Sequence, residues 1–248
     1  MKYLERASDI LKKELNKYIF YFSHDNLIDE NAILYQKEFE KEQFLIKNDQ
    51  IKLAQLKNDR FYCFYNKKEL LMNKDFFFEG TRNPNNHKKE IICKGIYLPF
   101  IEDEITGLKI ERKGIFLGNL FIDYGVSKNL LLFTQELSGC SVFIMFSQTH
   151  IYFIHSNLKM KHVNEVDVEG SRKYVIELSK RLGCYKIKEL NKTIYFKGIE
   201  HLRAKNSVSC FACILVEDSF LSKKDELSIF YQVRNDDTNK ILATGIIN

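Results

Sequence analysis

The sequence predicts an α+β protein: a sandwich of mixed or antiparallel β-sheets flanked by helices, preceded by an N-terminal helical region. Three observations lead there. From Glu90 onward, short apolar runs recur with turn residues between them, and a helical pattern interrupts them once. Many strands with few intervening helices favour two packed sheets over a parallel, doubly wound one. Before that stretch, the first sixty residues carry apolar positions at helical rather than alternating spacing.

In chain order, Leu4, Ala7, Ile10, Leu11, Leu15, Ile19 and Phe20 predict an amphipathic helix over 3–22. A second helical pattern runs over about 29–57, with a break around "KNDQ". The texture changes after "RFYCFYNKKELLMNKDFFFEGTRNPNNHKK", residues 60–89, and "EGTRNPNNH" within it is the strongest loop signal in the chain, holding one of its 2 prolines. The expected division is therefore a mainly helical region over 1–85 and a β-rich domain over 86–248. Strands are predicted at "IICKGIYLPF", "GIFLGNLFIDYG", "NLLLFT", "SVFIMFS", "IYFIHS", "YKIKEL", "KTIYFKGI", "VSCFACILV" and "LSIFYQVR". Between the fifth and sixth of these, "SRKYVIELSKRLG" predicts a helix with Ser171 as N-cap, Gly183 as C-cap, and Val175, Leu178 and Leu182 on one face.

Composition narrows the function classes. With 45% hydrophobic residues and 20 Phe, the chain builds a packed core and is not a disordered protein. Its 38 basic and 33 acidic residues are interspersed, so the net +5 makes no basic patch and nucleic acid is not an expected partner. Charges interrupt the opening "MKYLERASDILKKELNK" where a secretory signal needs an apolar stretch, and no segment reaches the length of a membrane span. Cysteines at 63, 93, 140, 184, 210 and 213 lack the spacing of a disulfide framework, which predicts reduced thiols. No cofactor or metal is expected. Cys210 and Cys213 form a CxxC, but strand alternation sends them to opposite faces with no second ligand pair nearby. "GIFLGNLFIDYG" has glycines without a phosphate-binding pattern.

The chemistry concentrates in "TQELSGCSVFIMFSQTHIYFIHSN", residues 134–157. If "SVFIMFS" and "IYFIHS" form a hairpin turning between Ser147 and Gln148, then Ile144 faces Ile151, Val142 faces Phe153 and Cys140 faces His155. Opposite side chains share a face, so a thiol and an imidazole meet at one end of a rigid hairpin. Ser138 and Gly139 allow a turn whose backbone N–H groups can point at a developing oxyanion. A thiolate beside an imidazolium would suit acyl transfer, with Cys140 alkylated at lower pH than an ordinary cysteine. The competing reading is structural: free cysteine is among the most buried residue types, and the chain would then be a non-enzymatic interaction domain, adaptor or immunity-like. His162 and Asp167 are candidates to line a cleft beside the hairpin, with plain solvation the simpler account; His150 is expected in or beside the turn.

Leu137-Ser138-Gly139-Cys140, followed by a buried strand, a turn and a second strand bearing His155, resembles the catalytic motif of the cytotoxic necrotizing factor and Burkholderia lethal factor family of glutamine deamidase toxins. The resemblance covers residues 134–157 and, loosely, 114–183. It implies Cys140 as nucleophile, His155 as base, and Thr134 as the residue whose backbone carbonyl, in place of an acidic side chain, orients the histidine. It also implies a secreted bacterial toxin or effector, delivered by a specialised route to the host cytosol. There it would convert a glutamine of a host protein, such as a small GTPase or a translation factor, to glutamate. A cysteine protease or transglutaminase would share the nucleophile and differ in the carbonyl offered and the acyl acceptor.

Overall fold

The computed structural model describes residues 11–13, 15–16, 18–22, 61–65, 73–80, 89–98, 103–111, 129–134, 136–161, 163–203, 207–217, 227–238 and 240–248. The helix expected over 29–57, the strand expected at 114–125, His162 and most of the "EGTRNPNNH" loop lie outside these residues.

The architecture is α+β, as the strand-rich texture predicts. Twelve strands are described: β1 (Tyr18–Phe22), β2 (Phe61–Tyr65), β3 (Asn73–Gly80), β4 (Lys89–Leu98), β5 (Ile105–Glu111), β6 (Asn129–Thr134), β7 (Ser141–Ser147), β8 (His150–Ser156), β9 (Cys184–Leu190), β10 (Val208–Glu217), β11 (Ile229–Asn235) and β12 (Ile241–Ile247). They form a seven-stranded sheet in the order β1-β3-β4-β6-β10-β11-β12 and a five-stranded sheet in the order β2-β5-β8-β7-β9. The pairs β4/β6 and β2/β5 are parallel and all other described pairs are antiparallel.

Parts of the predicted helical region are strands. Residues 11–13 are helical and Leu11 and Leu15 are buried, but the predicted first helix gives way to β1, which pairs with β3. "YIFYF" is β-branched and aromatic, a composition that suits a pleated surface better than a helix. Segments 61–65 and 73–80 are also strands, and β3 pairs with β4 across the boundary expected near residue 85.

Three helices are described: α1 (Val168–Arg181), α2 (Lys192–Tyr195) and α3 (Glu200–Arg203). The cap of α1 is Asp167, whose side chain accepts from the Gly170 N–H, and not Ser171, which lies inside the first turn and is buried. Leu182 is the C-cap, and Gly183, at φ +64°, reverses the chain just beyond it. "KTIYFKGI", expected as a strand, holds α2. Asn191 Oδ1 accepts from Thr193 N–H and Ile194 N–H, and Gly198 sits at φ +82°. An N-cap ahead of a left-handed glycine overrides the apolar alternation that suggests a strand.

The hairpin β7–β8 is central and buried on both faces. On one face Val142, Ile144, Phe146, Ile151 and Phe153 pack against Leu98, Leu132, Ala212, Ile214 and Ile229 of the seven-stranded sheet. On the other, Phe143, Met145, Tyr152 and Ile154 pack under Val175 and Leu178 of α1. Fully burying side chains of this size stabilises by about 1.5–3 kcal/mol each, so packing on both faces anchors the hairpin that carries the residues at its end.

Candidate functional site

The register of β7–β8 decides what Cys140 faces. The structure pairs Phe146 with Ile151, Ile144 with Phe153, Val142 with His155 and Ser141 with Ser156. The expected Cys140–His155 opposition is not formed: β8 is displaced by two residues relative to β7, His155 lies across from Val142, and the residue across from Cys140 is Asn157. The cause lies in the turn. Ser147 Oγ accepts from His150 N–H at 2.9 Å and donates to His150 O at 3.1 Å, so the turn closes over Gln148 and Thr149. Each residue of β7 therefore meets a partner two residues later on β8 than expected. His150 is the first residue of that strand, beside the turn as expected. A displacement by two residues preserves side-chain parity, so Cys140 and His155 keep the same face and become diagonal neighbours.

Three elements hold the cysteine end. Leu137 exchanges two backbone hydrogen bonds with Cys210 of β10, at 2.7 and 3.0 Å, and so pins the start of the Leu-Ser-Gly-Cys segment to the seven-stranded sheet. Tyr195 of α2 donates its hydroxyl to Cys140 O at 3.1 Å. Asn157 Oδ1 accepts the Cys140 thiol at 3.3 Å. Within the segment Ser138 is exposed and Gly139 buried. The thiol is 6% exposed.

The histidine is placed by the facing sheet. Thr134, at the end of β6, lies within 2.5 Å of His155 Nδ1 through its Oγ1, and that same hydroxyl donates to Leu98 O at 2.8 Å. A hydroxyl has one proton to give. With that proton on a carbonyl that can only accept, the Nδ1 contact is a donation from the imidazole to Thr134. His155 is therefore the Nδ1–H tautomer, and Nε2 carries the basic lone pair. Thr134 thus contacts His155 through its side-chain hydroxyl and not through the backbone carbonyl that the resemblance implies. Thr106, across from His155 on β5, shares the buried strand end.

Burial sets the resting charges. Desolvation pushes the Cys140 thiol up to about 12, opposed in part by its own backbone N–H and by Lys159. The same effect pulls His155 down to about 3. The pair rests as thiol and neutral imidazole, which corrects the expectation of a thiolate beside an imidazolium and of an unusually acidic cysteine.

Other candidates sort quickly. Asp167 is spent on the α1 cap. Cys210 points into the sandwich core, three residues before Cys213, and both are buried. Among the described residues no group of three His, Cys, Asp or Glu is arranged to hold a metal, and Cys140, Cys184, Cys210 and Cys213 are free thiols. No described helix is long and apolar enough to cross a membrane. Sequence reasoning missed Asn157 and Tyr195. Correct hairpin register would have exposed the first, and recognition of Asn191 as a cap the second.

No protein-family model matches the chain, and a search of curated proteins finds no significant relative.

Proposed function

We propose that this chain is a protein-glutamine deamidase using Cys140 as nucleophile and His155 as general base and acid. The observation that carries the reading is the Leu98–Thr134–His155 relay, which leaves Nε2 as the basic nitrogen on the face that bears Cys140. The likeness of Leu137–Cys140 to the deamidase-toxin motif supports the same roles and the same class of host-protein substrate.

In the reaction the Cys140 thiol turns from Asn157 toward Nε2 and gives up its proton as sulfur attacks the carboxamide carbon. The C=O electron pair moves to oxygen. When the tetrahedral adduct collapses, the C–N bond breaks and imidazolium returns the proton to the departing ammonia. Water, deprotonated by His155, then cleaves the thioester, leaving glutamate and the free thiol. A neutral resting pair suits this order, because charge separates only when a substrate is present to receive the nucleophile.

Recessed sulfur also favours this substrate. A glutamine side chain presents its carboxamide on a thin methylene stem that reaches a nearly covered thiol, whereas a backbone peptide bond arrives with both flanking chains. This argues for deamidation over proteolysis. Water, as the smallest acyl acceptor, is favoured over a lysine for the same reason.

The near-complete burial of Cys140 and His155 favours one competing reading, a non-enzymatic interaction domain with a structural cysteine. Mass spectrometry of eukaryotic lysates treated with the protein or with Cys140→Ser separates the two. Deamidation predicts a glutamine converted to glutamate only with the intact thiol. Lysates from several hosts showing no thiol-dependent conversion would instead support the interaction domain.

A further inference from the structure

The register of β7–β8 brings Asn157 opposite Cys140. Asn157 is 6% exposed and its backbone N–H is anchored on Glu104 O at 3.0 Å. Its Oδ1 accepts a hydrogen bond from the thiol at 3.3 Å, so the carboxamide lies next to the sulfur. Among the described residues its Nδ2 donors make no hydrogen bond. An amide that spends its acceptor on the thiol and carries its donors beside the same nucleophile is placed to offer them to a charge that arrives later.

We propose that Asn157 is a catalytic residue, its Nδ2–H binding the carbonyl oxygen of the substrate as that oxygen becomes an oxyanion. The assignment rests on the deamidase reading of Cys140 and adds the group that stabilises the tetrahedral adduct. When the thiol proton moves to His155, Oδ1 loses its donor and faces a negative sulfur. The terminal torsion of asparagine is broad and two-fold, so the amide turns and offers Nδ2–H in place of Oδ1. The Cys140 backbone N–H, which already faces its own sulfur, is the second donor. A carbonyl carbon bonded to Sγ then has its oxygen between a side-chain amide and a backbone amide.

Two reagents separate this role from mere support of the thiol. Acylation by p-nitrophenyl acetate passes through an oxyanion, whereas alkylation by iodoacetamide displaces iodide without one. We expect Asn157→Leu and Asn157→Ala to slow the Cys140-dependent burst of p-nitrophenolate about 10²- to 10³-fold, the loss typical of one oxyanion donor. Alkylation at Cys140, read by peptide mass spectrometry, should stay as fast or become faster, which also shows that the site is folded. Equal losses in both reactions, or a burst unchanged in the Asn157 variants but lost in Cys140→Ser, would overturn the role of Asn157 alone. A burst that survives Cys140→Ser, or no burst at all, would remove the thiol mechanism and this assignment with it.

Discussion

On the face of the β7–β8 hairpin turned to the seven-stranded sheet, an apolar run from Phe146 to Val142 and from Ile151 to Phe153 ends in Cys140 and His155. On the face under α1, an equally apolar run through Phe143, Met145, Tyr152 and Ile154 ends in Ser141 and Ser156. Both ends are buried and polar. Under α1, Ser156 donates to Ser171 at 2.8 Å, while Ser141 Oγ has no hydrogen-bond partner among the described residues. Nothing in that serine cluster titrates in the ordinary pH range. On the sandwich side, Thr134 fixes one tautomer of a neutral histidine, and Asn157 holds a neutral thiol beside it. Polarity at a buried strand end is thus common to both faces. What distinguishes the site is a thiol and an imidazole on one face, each hydrogen-bonded to a neighbour that does not titrate.

The sharpest break of this comparison removes the orienting hydroxyl. Thr134→Val keeps the shape and leaves His155 Nδ1 without its acceptor, so the imidazole is free to place its proton on Nε2, where it cannot act as base. Thiol-dependent deamidation should fall about 10²-fold, within the range that a positioned base contributes, with the loss in kcat and not KM. Thr134→Ser restores the hydroxyl and should recover most of the rate. If Thr134→Ser were as slow as Thr134→Val, Thr134 would be acting through packing and not through the tautomer.

A second test uses the titratable pair that the serine face lacks. Folding pulls His155 from 6.5 down to about 3, so its neutral form is favoured by the native state. The associated stability is present above 6.5 and lost as pH falls toward 3, because the unfolded chain takes up the proton first. One such group gives a slope of up to about 1.4 kcal/mol per pH unit. Denaturant unfolding across this acid window should show wild type losing stability more steeply than His155→Gln. Cys140, raised from 9.0 to about 12, predicts the mirror-image loss as pH rises through that interval, absent in Cys140→Ser. Parallel acid limbs for wild type and His155→Gln would mean that the native state does not hold the imidazole neutral.

How much of this was legible in the sequence follows the range of the interactions. The strands β7, β8, β9, β10 and β11 are written in local apolar runs, and the shared face of Cys140 and His155 follows from strand parity, which survives displacement by two residues. The rung itself depends on Ser147 bonding His150, a turn detail that alternation does not encode. Thr134 touches His155 from the other sheet, and its geometry depends on β6 lying beside β4, a parallel pairing with no local signature. Asn191 hid α2, and with it Tyr195, behind a strand-like run. The thiol's pKa is also a property of the assembled sandwich. The motif "LSGC" suggests an activated cysteine, while burial by two sheets makes it a protonated one at rest.

The smallest expected effect tests whether the two faces are independent. Ser171→Ala removes the acceptor of the Ser156 hydroxyl in a cluster where Ser141 Oγ already lacks a partner. Leaving a buried hydroxyl unsatisfied costs about 1 kcal/mol or somewhat more, and alanine's better helix propensity inside α1 returns a fraction of that. The double variant Ser156→Ala/Ser171→Ala discards both partners together and should be closer to wild type than Ser171→Ala alone, since a missing pair is less damaging than half of one. Chemical unfolding measures these differences, and deamidation assayed on the same samples should not change. The hairpin backbone is shared, so a drop in turnover in Ser171→Ala with stability intact would show that α1 sets the placement of His155 through Ser156. The site would then have to be redrawn to include the serine face.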